Sequence, residues 1–221
     1  NGLTGRVTGT VTGGVGSTVT VNGTFTTENT FGVDNFAINA GGRLNLNHGL
    51  TTTSGVSTAG TLAAASGGNA TVTGNYTQAA GGNFEVNVSA PDNFGTLAVT
   101  GTADLSASGL VTANLLGPLV DGTVLNNVLT AGTLTAGTLT ATASGNLFYS
   151  VSAVRDGNTI DLAVTRDLLI VDAATARNLP YASGLAGALA PVSYTYPRAH
   201  ETSLPLASRL HLVNRNFTHL L

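Results

Sequence analysis

Short runs in which apolar residues alternate with small polar residues fill the centre of the chain, from Tyr76 to Leu116. Phe84, Val86 and Val88 show the period of two, and Gly, Asn, Asp or Pro closes each run. Such alternation between turn residues is typical of half-buried strands. The runs recur roughly every 10 to 13 residues, which is too close for the crossover helices that usually join parallel strands. The pattern therefore predicts an all-β fold in which parallel strands stack in coils, a β-helix.

The same pattern extends over residues 18–166, which we predict to form the β-helix. Glycine pairs such as Gly41-Gly42 and Gly67-Gly68 separate the runs, at places where a positive φ or a close backbone approach is needed. Coils of about 20 to 25 residues would give roughly six or seven turns and a rod about 30 Å long. Residues 1–17 repeat Thr-Gly and Val-Thr-Gly. This composition predicts a low-complexity entry segment, either a frayed strand or a stalk that leads to further coils.

A Leu-Thr-Ala-Gly-Thr unit begins at Leu129, repeats at Leu134 and starts again at Leu139. Leucines five positions apart would point to opposite faces of one continuous strand. We therefore expect the Ala-Gly steps to bend the strand, so that each leucine returns to the interior.

The composition indicates an ordered chain and argues against nucleic acid and acidic membranes as partners. Hydrophobic residues make up 42% of the chain and charged residues 9%, whereas disordered chains are usually charged and poor in apolar residues. The net charge of −3 offers no electrostatic footprint for nucleic acid or for acidic membranes. The chain has no cysteine, and no apolar stretch is long enough for a transmembrane helix. Methionine is absent even at position 1, so we expect a processed or excised piece.

An ordered series of motifs covers about residues 70–166. The series consists of Tyr76-Thr77-Gln78, Gly81-Gly82, Phe84-Glu85-Val86, residues 97–103 (LAVTGTA), Leu110-Val111, Asp121-Gly122, residues 128–132 (VLTAG), residues 147–151 (LFYSV) and residues 156–166 (DGNTIDLAVTR). In this order and spacing it resembles the C-terminal part of pertactin-like autotransporter passenger domains. The resemblance implies a right-handed parallel β-helix whose last coils act as a stable folding core during secretion. It also implies the extracellular or outer-membrane surface of a Gram-negative bacterium.

The residues that carry this resemblance are predicted to form the structural core and its turns. They are Tyr76, Gly81, Gly82, Phe84, Val86, Leu97, Val99, Gly101, Leu105, Leu129, Leu134, Phe148, Leu162 and Val164.

The chain departs from the family after Arg166, where the resemblance would lead to a helix and then a membrane β-barrel. Residues 167–221 are predicted to form a short helical and Pro-punctuated segment. One or two helices are expected between Asp172 and Ala190, interrupted near Pro180, and no barrel strands follow. Since a β-helix end leaves strand edges open, we expect this segment to cover the end of its own coil stack or of a neighbour's.

The polar residues form no catalytic or metal-binding motif, and we predict no catalytic, cofactor-binding or metal-ligating residues. His200, His211 and His219 stand apart from any cysteine and are interpreted as solvated or loop residues. Asp156-Gly157-Asn158 lacks the glycine-rich calcium repeat and predicts a hairpin-type turn. No serine lies in a Gly-x-Ser-x-Gly motif.

Two functions remain. The first is a non-catalytic, adhesin-like surface or secreted protein, which would contact a host or neighbouring cell. The second is a subunit of an extracellular filament built by head-to-tail stacking of β-helices on further copies of itself. A β-helical polysaccharide-active enzyme is a third possibility, for which the sequence supplies no catalytic constellation. A well-capped end would favour the first function, and flat, apolar, uncapped coils would favour the second.

Overall fold

The computed structural model describes residues 9–146 and 148–166, and all regular elements of this part are β-strands. The all-β prediction is therefore confirmed. The predicted helices of residues 172–190 and the rest of the C-terminal segment lie outside the described residues. No helix in the described part of the chain could span a membrane.

The strands form two sheets. The first sheet contains β1 (Val11–Thr12), β2 (Thr18–Val21), β4 (Phe31–Ile38), β6 (Leu50–Thr58), β8 (Asn69–Thr73), β9 (Tyr76–Gln78), β12 (Thr96–Leu105), β14 (Val124–Ala136), β16 (Tyr149–Asp156) and β17 (Thr159–Arg166). The second sheet contains β3 (Thr24–Thr26), β5 (Arg43–Leu46), β7 (Thr61–Ala64), β10 (Asn83–Ala90), β11 (Asn93–Phe94), β13 (Leu110–Leu115) and β15 (Thr140–Ser144).

The chain visits the two sheets in turn and adds a parallel strand to each at every visit. In the first sheet β4, β6, β8, β12 and β14 follow one another in parallel, and in the second β3, β5, β7, β10, β13 and β15 do the same. This order is compatible with a β-solenoid. The coils lengthen along the chain, because paired residues lie 19 positions apart at Phe31 and Leu50 but 32 apart at Leu97 and Leu129. The expected coil of about 20 to 25 residues therefore describes the step from Leu50 to Val72 but neither of these two.

Equivalent positions of successive coils stack in the interior. One row of the second sheet runs Phe25, Leu44, Leu62, Phe84 and Val111, and the last four of these side chains are fully buried. Parallel pairing places each residue directly above its counterpart at about 4.8 Å, so every inward side chain contacts the coils on both sides.

Most of the predicted core residues lie in this interior. Those with no exposed surface are Tyr76, Phe84, Val86, Leu97, Leu105, Leu129, Leu162 and Val164, while Leu134 and Val99 are 3% and 4% exposed. Phe148 is the exception, because its side chain is 49% exposed. It precedes β16, where Tyr149 takes the inward position and packs against the core.

The long strands of the first sheet bend in the middle, as the leucine repeat predicted. Leu129 and Leu134 are both buried, although an uninterrupted strand would point them to opposite faces. The pairing of β14 with β12 shifts by one residue between Ala131 and Thr133, which places the bend at Gly132. Gly101 lies at the same bend in the coil below, where a Cβ would lie 2.7 Å from the carbonyl oxygen of Gly74.

The prediction that all strands are parallel is wrong for residues 149–166. Strands β16 and β17 form an antiparallel hairpin, and β17 pairs antiparallel with β14. Asp156 pairs with Thr159, so Gly157 and Asn158 form the turn, as predicted for this motif, and Gly157 has a φ of 56°. The coils therefore end at β15, and the hairpin covers the last coil.

The corner between β9 and β10 depends on Gly81 and Gly82. Gly81 has a φ of 80°, which few other residues adopt without strain. Gly82 has no such φ, but a Cβ there would lie 2.2 Å from the carbonyl oxygen of Thr58 in the coil below. The buried amide of Gln78 donates to the carbonyl oxygens of Gly82 and Leu110, both at 2.8 Å, and so links this corner to the next coil.

We expect Gly82→Ala to destabilise the fold by about 1–3 kcal/mol, because the added methyl group would force two coils apart. Urea unfolding followed by circular dichroism would measure the change. Gly32→Ala is the matched control, since a Cβ at Gly32 meets no atom within 4 Å. Equal midpoints for the two variants would contradict the expected crowding at Gly82.

Asp34 joins three coils where the first sheet bends. Its carboxylate accepts hydrogen bonds from the backbone N–H of Gly16 at 2.9 Å and from the hydroxyl of Ser54 at 2.8 Å. Its own backbone N–H donates to Oγ of Ser17 at 3.0 Å. The bond from Gly16 above all, and then that from Ser54, lower the pKa of Asp34 from the ordinary 3.8.

We expect Asp34→Asn to reduce the acid sensitivity of the fold. A carboxyl group whose folded pKa is depressed stabilises above its unfolded pKa, and this contribution disappears as the pH falls through the folded value. The variant should therefore unfold at lower urea than the wild type at neutral pH and approach it below about pH 3.8. Asp92→Asn, an exposed carboxylate between β10 and β11, should keep the wild-type profile. Parallel profiles for wild type and Asp34→Asn would contradict this role.

Candidate functional site

The coils lengthen at one corner, where the chain passes from the second sheet back to the first. This connection lengthens from residues 47–49 after β5 to residues 116–123 after β13. The corner from the first sheet to the second stays short in every coil, as at residues 39–42 and 106–109. We call the lengthening connection the variable corner. Loops on a regular scaffold are where binding residues concentrate, so this corner is the candidate functional site.

An open groove of about 470 Å³ lies at the variable corner, on the outer side of the second sheet. It is lined by Thr26, Asn45, Asn47, Ala65, Ser66, Asn87, Asn114 and Leu116. The lining combines amide and hydroxyl groups with two apolar side chains and includes no charged residue.

The stacking of the coils explains the groove. Asn87 and Asn114 pair directly in neighbouring strands, and Asn47 and Ala65 hold the corresponding positions in the earlier coils. Alanine at the second of these positions in chain order leaves space between the longer asparagine side chains.

Chain segments that have no counterpart in the shorter coils border the groove. Strand β11 folds back antiparallel on β10, and the carbonyl oxygen of Phe94 accepts a hydrogen bond from the N–H of Gly67 at 3.2 Å. Farther along, the N–H of Leu116 donates to the carbonyl oxygen of Val88 at 2.8 Å, and the Leu116 side chain is 63% exposed.

Hydrogen bonds hold two of the amides in fixed orientations. Nδ2 of Asn114 donates to Oδ1 of Asn87 at 2.8 Å, and Nδ2 of Asn87 donates to the carbonyl oxygen of Ala64 at 3.0 Å. An amide offers two donor and two acceptor positions, so each keeps hydrogen-bonding capacity for a ligand.

Two other polar groups of the lining are unsatisfied within the described residues. The side chain of Asn47 is exposed and makes no hydrogen bond there, although its backbone N–H donates to Oγ1 of Thr27. The hydroxyl oxygen of Ser66 is buried and also has no hydrogen-bond partner. A buried polar atom without a partner costs about 1–3 kcal/mol, and the Ser66 hydroxyl oxygen is closed off from the groove.

An ion pair flanks the groove. The guanidinium of Arg43 reaches across Ala63 to Glu85 and donates to its two oxygens at 2.9 and 2.5 Å. Nε of Arg43 donates to Oδ1 of Asn45 at 3.0 Å, which orients that lining amide. The bond to Glu85 raises the pKa of Arg43, so the side chain stays charged and engaged.

The polar residues considered from sequence do not gather at one place. Nδ1 of His48 lies 3.0 Å from the carbonyl oxygen of Thr27, and the other three histidines lie outside the described residues. Asp104 contacts the side chain and backbone of Ser106, which lowers its pKa. Over residues 9–146 and 148–166 no three His, Cys, Asp or Glu residues are placed to hold a metal ion.

Sequence reasoning did not identify the groove residues. The available signal was the recurrence of asparagine at outward positions of successive coils, as at Asn87 and Asn114. The coil register needed to align them with Asn47 and Ala65 could not be derived, because coil length changes along the chain.

No protein-family model matches the chain, and neither a curated protein nor a solved structure is significantly similar to it. The geometry of the described residues and the sequence resemblance are therefore the grounds for a functional proposal.

We expect Arg43→Gln to destabilise the protein by about 1–3 kcal/mol, because the Glu85 side chain, 11% exposed, would lose its charged partner. Adding Glu85→Gln should recover much of the loss, since two amides can pair without a buried charge. Urea unfolding of the two single variants and the double variant completes a double-mutant cycle. If the losses simply add, the two side chains are not coupled.

Proposed function

We propose that the chain is part of a non-catalytic, adhesin-like protein on the surface of, or secreted by, a Gram-negative bacterium. In this proposal it is a right-handed parallel β-helical passenger, resembling the pertactin-like autotransporters, and its last coils are a stable folding core. Right-handedness is supported by the strong general preference for right-handed crossovers between parallel strands of one sheet.

The observation that carries the proposal is the antiparallel hairpin at the C-terminal end of the coil stack. Strand β17 occupies the edge of β14 and ends the parallel pairing of the first sheet. An exposed parallel edge would recruit further strands, so a hairpin that covers the β14 edge favours a discrete domain over a continuous polymer. In the second sheet, no strand of the described residues pairs with the outer edge of β15.

Side-chain contacts fix the hairpin in place. At its turn, Asn158 donates from Nδ2 to the carbonyl oxygen of Gly132 at 2.9 Å and accepts from the N–H of Leu134 at 3.2 Å. At its other end, the Tyr149 hydroxyl donates to the carbonyl oxygen of Leu119 at 2.6 Å. Nη2 of Arg155 donates to the carbonyl oxygen of Leu134 at 2.6 Å.

The packing beneath the hairpin supports a folding core in the last coils. Leu125, Val128 and Leu129 of β14 and Ile160 and Leu162 of β17 have no exposed surface. A secreted chain that folds from this end would begin with β14, whose outer edge is covered by β17. Each coil nearer the N-terminus could then pair with the strands of a coil that has already folded.

A self-assembling filament subunit remains the second candidate, favoured by the opposite end of the stack. Within residues 9–146 and 148–166, no strand pairs with the outer edges of β1, β2 and β3. Val19 and Phe25, which face the interior there, are only partly buried. Such an edge could accept another copy, in a head-to-tail contact that need not close.

Surface display tests the proposed function. The full chain would be placed ahead of an outer-membrane barrel in a Gram-negative host, and its exposure measured by protease treatment of intact cells. We expect display of the wild type and a severalfold loss for Asn158→Ala, because Leu134 N–H would lose its partner and the hairpin would loosen, at about 1–3 kcal/mol.

Asn126→Ala is the matched control, since Asn126 is exposed on β14 and its side chain makes no hydrogen bond to the described residues. It should be displayed like the wild type. Failure of the wild type to reach the cell surface would overturn the passenger proposal.

Light scattering distinguishes the passenger from the filament, because a mass near 22 kDa supports a discrete passenger and a growing polymer supports the filament.

A further inference from the structure

We infer that the groove at the variable corner binds a neutral oligosaccharide. The inference rests on the proposed adhesin-like function and deepens it, because it names the chemistry that the surface protein would recognise.

The polar lining matches a ligand rich in hydroxyl groups and without charge. Amides and hydroxyls both donate and accept hydrogen bonds, as sugar hydroxyls do. An acidic ligand would need a free arginine or lysine. The nearest guanidinium, that of Arg43, is bound to both oxygens of Glu85, and no carboxylate lines the groove to hold a cation.

The apolar part of the lining suits the C–H faces of sugar rings. Leu116 is 63% exposed at one end of the groove, and Ala65 forms its middle. A site with a few oriented polar groups beside apolar surface gains both orientation and contact area.

Two of the polar side chains are preorganised for binding a ligand. Asn87 and Asn114 are held by their mutual bond, so little side-chain freedom would be lost on binding. Asn47 offers a whole exposed amide that makes no hydrogen bond to the described residues. A bound hydroxyl would therefore add hydrogen bonds where the protein itself supplies none.

The shape of the groove favours an extended ligand. The lining runs from Thr26 on β3 to Asn114 on β13, and these strands are four spacings apart, about 19 Å. An extended peptide would more readily add to a sheet edge. The edges of the second sheet are β3 and β15, at the two ends of the stack, whereas the groove runs across the strands between them.

Binding of neutral and acidic oligosaccharides to the purified full chain tests the inference. The probes are immobilised cello-, malto-, manno- and chito-oligosaccharides, with oligogalacturonate as the charged comparison, and titration calorimetry measures the affinity of any that bind. We expect a neutral oligosaccharide to bind with a dissociation constant of roughly micromolar to millimolar, as an open polar groove allows.

Asn47→Ala should weaken binding about tenfold, the equivalent of one hydrogen bond, and Asn47→Trp should abolish it by filling the groove. Neither should alter folding, since Asn47 is exposed. Asn126→Trp, on the other sheet, should bind like the wild type.

Absence of binding to every neutral probe, binding of the acidic probe alone, or equal binding by Asn47→Trp would each overturn the inference. None of these outcomes affects the display test, in which the carbohydrate plays no part. Conversely, groove binding by a chain that never reaches the cell surface would reject the proposed function alone.

Discussion

Hydrogen bonding between parallel strands of successive coils is the constraint on which the rest of the structure depends. It fixes the distance between equivalent residues at about 4.8 Å, so no coil can move outward to make room for a large side chain. A large inward side chain must instead have smaller side chains above and below it in its stacked row. Tyr76, the largest fully buried side chain, lies between Val56 and Ala103, and its hydroxyl lies 3.5 Å from the Gln78 amide oxygen. Burial raises the pKa of Tyr76, which keeps this hydroxyl a donor.

The two corners of each coil differ in how much their length varies. Where the first sheet turns into the second, the backbones of neighbouring coils approach so closely that a Cβ at Gly60 would lie 2.2 Å from a carbonyl oxygen. At the variable corner, β11 pairs with β10, and residues 116–123 contact the hairpin through Leu119 and Thr123. Variation in length is concentrated at this corner, where the groove lies. A binding surface there can change from coil to coil at little cost to the core.

The sequence predicted what depends on short-range patterns. Alternation located β10 and β12, and the spacing of Leu129 and Leu134 predicted the bend at Gly132. It did not predict the direction of β16 and β17, because an alternating strand looks alike whether its neighbour is parallel or antiparallel. The hairpin-type turn predicted at Asp156-Gly157-Asn158 implied two antiparallel strands, but the prediction of parallel strands was made from the alternation alone. Phe148 was misplaced for the same reason, as it was assigned to a coil that the hairpin replaces. The groove depends on register between coils of unequal length, which no local pattern encodes.

Several inward side chains become smaller in the last coil, next to the hairpin. The last coil carries alanine at four inward positions where earlier coils carry larger residues. They are Ala131 after Val99, Ala136 after Leu105, Ala141 after Val111 and Ala143, which follows Ala113 and Val86. All four are only partly buried and pack against the core. Tyr149, Val151 and Ala153 of β16 also pack against this core, which smaller residues in the last coil make accessible. A further parallel coil would need larger inward residues to fill that space and would have to displace β17 from β14. Growth from this end is therefore opposed twice, by the paired edge and by the shape of the interior.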